Sequence, residues 1–297
     1  MENRGPYQAT AVLFLAFLFL PAFSAVAASP ALPLPVPCNA SAGSCYVPHI
    51  GEQWQWQLSC TPGLPSCTRI ADRPAGIGFY DIDWEENRKA TVARIHRNGS
   101  AAIAYISAGT WENWRGDRGS FPLPVIGNIY GEWPDERWLD VRRTDVLIPL
   151  MVRRMKIAKN KGFDGVQFDN LDGWQADTGF PLTAADYTYY AARLSNKAHK
   201  LGLSAAWENA LEIRRPLLPY MDWFLMEDCH VYGECRAARA FTGSGKFVGG
   251  VEYTDETTGM GFCSFYDDWQ ISGLLKNRNL GAWRKSCPQP GTCPSCR

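Results

Sequence analysis

Acidic side chains recur in this sequence where short apolar runs end. Tyr80-Asp81-Ile82-Asp83 closes one run, and Tyr105-Ile106-Ser107 closes another with Trp111-Glu112 just beyond. Asp140, Asp169-Asn170-Leu171-Asp172, Trp207-Glu208-Asn209, Glu227-Asp228 and Glu252-Tyr253 follow at later run ends. A single Asp or Asn at such a turn commonly caps a helix or fixes the turn. So many carboxylates at one rim repel one another unless a metal, a cationic substrate or proton sharing offsets the charge. The four histidines (His49, His96, His199, His230) form no HExxH pair, and His96 and His199 fall within helical stretches. No GxSxG elbow and no glycine-rich phosphate loop is present. Paired carboxylates among aromatics remain, and glycoside hydrolysis uses that set. One acid protonates the leaving oxygen while the other attacks or activates water. Trp84, Trp111, Trp174 and Trp207 follow strand ends and are candidate faces for sugar rings; Trp54 and Trp56 read equally well as core.

Positioning such a rim requires alternating strands and helices. Strands are predicted at Trp54–Leu58, Gly78–Ile82, Ala101–Ser107, Trp138–Val141, Phe163–Phe168, Leu203–Trp207, Trp223–Met226 and Phe247–Val251. Helices are predicted at Ala90–Asn98, Ile148–Lys161, Thr183–Leu201, Leu211–Leu218, Cys235–Phe241 and Phe262–Asn277. Thr183 with Asp186 starts one of these as a capping box, and Lys200 with Gly202 stops it. Doubly buried strands alternating with helices imply an α/β fold with a parallel sheet, and the strand number favours a closed (β/α)8 TIM-type barrel over an open doubly wound sheet. In a barrel, loops at the C-terminal strand ends converge on one mouth.

Composition narrows the setting. The 297 residues are 46% hydrophobic and 20% charged, as in a globular domain. Thirty basic residues balance thirty acidic ones, which argues against nucleic-acid binding. Residues 1–27 read as a secretory signal peptide, with Arg4 ahead of the apolar run Val12–Leu20 and small residues at Ala25-Val26-Ala27. Secretion follows, with no stable membrane insertion after cleavage. Residues 28–49 read as a Pro-rich linker, residues 50–283 as one catalytic barrel, and residues 284–297 as a Cys-rich tail. Ten cysteines favour disulfides over zinc, with Cys229–Cys235 the first pairing on proximity. Asn39 and Asn98 head glycan acceptor triplets.

The ordered set of motifs resembles glycoside hydrolase family 114, the endo-α-1,4-polygalactosaminidases. It comprises Tyr80–Asp83, Ala104–Glu112, Trp138–Arg142, Gly162–Val166, Asp169–Trp174, Gly179–Thr183 and Glu227–Cys229 with Tyr232 and Glu234-Cys235, and covers about residues 54–255. The resemblance implies a barrel hydrolase of α-1,4-linked galactosamine polymers that needs no cofactor or metal. It places the nucleophile on Asp169 and the acid/base on Glu227 in a retaining mechanism. Substrate contacts are expected from Asp81, Asp83, Tyr105, Trp111, Glu112, Asp140, Asn170, Asp172, Trp174, Trp207, Glu208, Asn209, Asp228, Glu252 and Tyr253. Trp207-Glu208-Asn209 departs from a Leu-Lys-Asn-like stretch in relatives, exchanging a cation for a carboxylate. An acidic rim would attract deacetylated, cationic galactosamine. The expected partner is thus a polysaccharide, bound by a monomer. A secreted polysaccharide-binding protein without catalysis, a hydrolase of another α-glycan and a metal-dependent deacetylase are the alternatives.

Overall fold

The computed structural model describes residues 30–38, 45–59, 76–131 and 133–292. The signal segment, Asn39, and the cysteines at 60, 67, 293 and 296 lie outside the described residues. Eight parallel strands run in the order β1 (Trp54–Gln57), β2 (Phe79–Asp83), β3 (Ala101–Ser107), β7 (Gly165–Asp169), β8 (Ser204–Glu208), β9 (Trp223–Glu227), β10 (Val248–Tyr253) and β11 (Ser272–Lys276). A short antiparallel strand, β12 (Lys285–Ser286), extends β11. Bonds from Trp54 Nε1 to the Ser272 carbonyl and from the Leu58 N–H to the Leu280 carbonyl join the first strand to the last region. The fold is a (β/α)8 barrel.

The pleat sorts every strand into an inward and an outward row. Trp54, Phe79, Trp223 and Phe247 stack on one another at the N-terminal end of the interior. Ile103, Ala206, Leu225, Val251 and Leu274 continue the inner cluster. The next inward positions on β7, β8 and β9 are Asp169, Glu208 and Glu227. Outward residues pack under α1 (Lys89–Arg97), α2 (Thr144–Lys161) and α3 (Ala184–Lys200). The α3 capping box forms as read, with Thr183 Oγ1 accepting the Asp186 N–H and Asp186 accepting the Thr183 N–H.

Two element predictions fail. Trp138–Val141 is not a barrel strand; Trp138 and Leu139 end β6 (Trp133–Leu139), which joins β4 (Thr110–Glu112) and β5 (Ile126–Tyr130) in an antiparallel sheet. The barrel ladder passes directly from β3 to β7. The expected helix Phe262–Asn277 is instead the short α6 (Cys263–Asp268) followed by β11. Gln270 takes a left-handed φ of 57°, which ends the helix. A Cβ on Gly273 would stand 2.5 Å from the Tyr266 ring and 2.6 Å from Cys287 Sγ, so this strand passes its neighbours where only glycine fits. The expected helices at Leu211–Leu218 and Cys235–Phe241 are 3₁₀ turns leading into α4 (Arg214–Leu217) and α5 (Arg239–Thr242).

The Pro-rich segment is no free linker. Val36 donates its N–H to Asn196 Oδ1 at 2.7 Å, and Asn196 and Tyr220 donate to the carbonyls of Leu34 and Pro33. The tail also joins the barrel, because Cys287 follows β12 and is bonded to Cys263. Cys38–Cys45 and the expected Cys229–Cys235 pair are the other disulfides among the described residues. Replacing Cys263 and Cys287 with Ser is expected to cost about 2–4 kcal/mol, by release of loop entropy in the unfolded chain. Urea unfolding of the double variant measures it, and an unchanged midpoint would refute the contribution.

Candidate active site

Asp169 and Glu227 end alternate staves, with Glu208 on the stave between them. Asp169 is partly exposed to the mouth and accepts two hydrogen bonds. Tyr105 Oη donates to its Oδ2 at 2.6 Å, and the Asn170 N–H donates to its Oδ1 at 2.6 Å. Glu227 is also partly exposed, and Asn209 Nδ2 donates to its Oε2 at 2.9 Å. The Tyr253 hydroxyl donates to its Oε1. Asn209 Oδ1 accepts the Glu227 N–H, which fixes the amide's orientation. Glu208, on the stave between, also hydrogen-bonds the Glu227 side chain. Asn170, Asn209 and Asp228 all adopt left-handed φ of 59°, 51° and 49°, so each of these strand ends bends in the same sparsely populated way. Asn and Asp tolerate that conformation better than other side chains.

The rim is organised to hold protons. Desolvation, with the Glu227 charge adding to it, pushes Asp169 up to about 8, against the opposing Tyr105 hydrogen bond. Burial holds Glu208 well above the usual carboxylate range, and the charges of Asp169 and Glu227 push the same way. Gln167 Nε2 donates to Glu208 at 2.7 Å from the next inward position on β7. Asp81 lies wholly buried in the interior, its carboxyl raised by burial and then by Asp169.

A cleft of about 300 Å³ opens beside Glu227. Asp172, Glu212, Glu227, Asp228 and Glu234 line it, and among the described residues no Lys or Arg does. Asn209, Gln175 and Tyr232 complete its polar walls. Arg278, from the loop after β11, stands behind the cleft. Its guanidinium lies 3.9 Å from the centre of the Tyr253 ring and pairs with Asp228 at 3.0 Å. It thus steadies the tyrosine that bonds Glu227.

Several expected sugar contacts have other positions. Asp83 and Glu112 are buried on Arg115, at 2.7 and 2.6 Å. Asp81 has no open surface toward the mouth. Trp207 faces outward, fully buried against Phe224 and Phe241, because its neighbour Glu208 takes the inward position. Glu252 likewise faces outward, accepting the Tyr266 hydroxyl and the His230 N–H, while Tyr253 faces in. Asp140 is paired with Arg142 at 2.8 Å beyond β6. Trp111 and Trp174 are half-buried, the first bonded to the Arg118 carbonyl and the second edge-on to Tyr187, and neither lines the cleft. Trp84 is fully buried beside Arg154 and Arg115. Sequence reasoning did not single out Gln167 or Arg278. The first was readable as an inward position two residues before Asp169; the second was hidden by the missed β11.

An eight-stranded barrel with carboxylates from alternate staves at its C-terminal mouth defines a glycoside hydrolase of the (β/α)8 type. The chain matches the sequence profile of Glycoside-hydrolase family GH114 over residues 36–291 and belongs to that family. It is similar to Aspergillus fumigatus Ega3, solved in complex with galactosamine, at 33% identity and a TM-score of 0.73, over 82% of this chain and 98% of that one. The glycoside hydrolase domain of PelA from Pseudomonas aeruginosa shares the fold at 13% identity and a TM-score of 0.58, over 79% and 98% of the two chains. TtGalA, an α-galactosidase from Thermus thermophilus, shares it at 13% identity and a TM-score of 0.51, over 77% and 59%. Comparison with curated protein sequences gives no match.

Proposed function

We propose that the protein is a secreted, endo-acting hydrolase of α-1,4-galactosaminidic bonds in partly deacetylated galactosaminan, working with retention. The observation that carries this reading is the cleft lined by five carboxylates, of which Asp228 is paired with Arg278, and by no cation among the described residues. Such a surface favours a sugar bearing an ammonium group over its neutral N-acetyl form. Similarity to Ega3, solved with galactosamine, supports the same substrate class. Asp169 attacks the anomeric carbon as the glycosidic C–O bond breaks, and Glu227 gives a proton to the leaving oxygen. Glu227 then takes a proton from the water that cleaves the glycosyl–Asp169 ester. The signal-like first 27 residues and the disulfides support export. No helix among the described residues is long and apolar enough to cross a membrane.

Cleavage of deacetylated and fully acetylated polymers, at low and high salt, tests the reading. The deacetylated polymer should be cut faster, and salt should shrink the difference. Equal rates in all arms would sink the electrostatic account, and cleavage of only a neutral α-glycan would replace it. Product sizes report endo action, and the anomer first released, read by proton NMR, reports retention.

The pH profile carries a sign. A bound ammonium stabilises ionised Asp169, lowering the pH at which the site loses the charge its nucleophile requires. The acid limb of kcat should therefore lie at lower pH than that of kcat/KM. The reverse order would exclude a cationic sugar at the cleft.

A further inference from the structure

Next to the acidic cleft runs a second groove of about 940 Å³ with the opposite charge. Arg214, Arg215, Arg236 and Arg239 line it. The first two come from α4, after β8, and the others from the 3₁₀ turn and α5 after β9. The Cys229–Cys235 disulfide anchors the start of that second wall. The groove and the cleft share Leu211, Glu212 and Glu234, so they are continuous.

These arginines differ from the others near the site. Arg115, Arg154 and Arg278 each engage carboxylates. Arg214 donates to the Leu211 carbonyl, whereas the side chains of Arg215, Arg236 and Arg239 are exposed and meet no acceptor among the described residues. Of the two glutamates in the groove, Glu212 already accepts from Gln175 at 3.2 Å. Leu218 and Ala237 add apolar surface to the groove, suited to the C–H faces of sugar rings.

We propose that this groove binds an anionic stretch of glycan, made of carboxylate-bearing sugars, immediately beside the catalytic cleft. Guanidinium groups pair with carboxylates through two parallel N–H···O bonds, which ammonium groups do not offer. A polymer lying in a glycosidase cleft must continue over the neighbouring surface, which makes a glycan the fitting occupant. A uniformly cationic chain is repelled there. The groove therefore holds a run of acidic sugars against the edge of the cleft. The groove's charge is independent of which sugar the cleft cuts, so its test is separate from that of the catalytic reading.

Calorimetric titration of the purified protein with hexagalacturonate tests it, with a neutral galactose hexamer and a heparin hexasaccharide as parallel arms. Binding of the uronate at low salt, lost at high salt and absent for the neutral hexamer, is expected. The variant R215A/R236A/R239A should bind it about tenfold or more weakly, given three exposed charge pairs. Its melting temperature should be unchanged; should it fall, the single exposed variant R236E takes its place. Undiminished uronate binding by the variant, equal binding of the neutral hexamer, or no binding at low salt would overturn the proposal. Tighter binding of heparin than of the uronate would overturn the carboxylate assignment, and equal binding of an RNA oligomer of matched charge would overturn the glycan.

Discussion

Asp169→Asn and Glu227→Gln should each lower kcat on polymer by about a thousandfold or more, while the polymer still binds. The double variant should be little worse than either single one, because the two groups act as a unit. Both carboxylates sit among donors, Tyr105 and the Asn170 N–H around one, Tyr253 and Asn209 around the other. An amide accepts from only one donor of each pair and turns its own NH₂ toward the other. A glycoside with a strongly acidic aryl leaving group separates the roles. It needs no proton donor, so Glu227→Gln should release the aryl group in a fast first burst and, once azide replaces the water that Glu227 would activate, should turn over again, whereas Asp169→Asn should do neither. Recovery by the aspartate variant instead would exchange the two assignments, and near-full activity of either variant on polymer would remove that residue from the mechanism.

The same substitution bears on stability with a definite sign. A carboxyl that folding lifts to about 8 keeps its proton while the unfolded chain loses its own near pH 4. Its contribution is fully present below the unfolded value and is lost as pH rises through the folded one. Asp169→Asn removes that loss. Its melting temperature should therefore match the parent near pH 4 and exceed it at pH 9, the pattern of an active site that sacrifices stability for reactivity.

How far the sequence carried depends on what was local. The acids stand at strand ends because the runs before them are apolar and period-two, and that pattern is readable without coordinates. The pleat was readable too, yet it had to be applied at every end. It admits Glu208 and excludes Trp207, and admits Tyr253 and excludes Glu252. What was not local was partner choice. Arg115 stands three residues after Glu112, but nothing in the sequence says that it will also take Asp83, or that the distant Arg154 will join them. The missed β11 has the same origin. Ile271, Leu274 and Leu275 fall at helical spacing, and only packing against Tyr266 and Cys287 makes Ser272–Lys276 the eighth stave.

Arg154→Leu should destabilise the protein by about 3–5 kcal/mol, because it leaves the partly buried Asp117 without its guanidinium and removes one of the two cations beside buried Glu112. For a barrel of this size that is a fall of about 10 °C in melting temperature. Arg154 is wholly buried and holds Asp117 through two bonds of 2.9 Å, with a third to the Ser107 carbonyl at 3.2 Å. Glu112 lies 3.5 Å away and shares Arg115 with Asp83. Trp84 and Phe121 flank the guanidinium at 5.4 and 5.3 Å, so water has little room to replace it. Adding Asp117→Asn to Arg154→Leu should recover part of the loss, since it neutralises the charge left unpaired. The network supports the loop after β3 and lies apart from the cleft, so KM of the folded enzyme should stay unchanged in both variants. If Asp83→Asn or Glu112→Gln instead raised KM without lowering the melting temperature, these acids would be sugar ligands, and their assignment to the support of the barrel would be wrong.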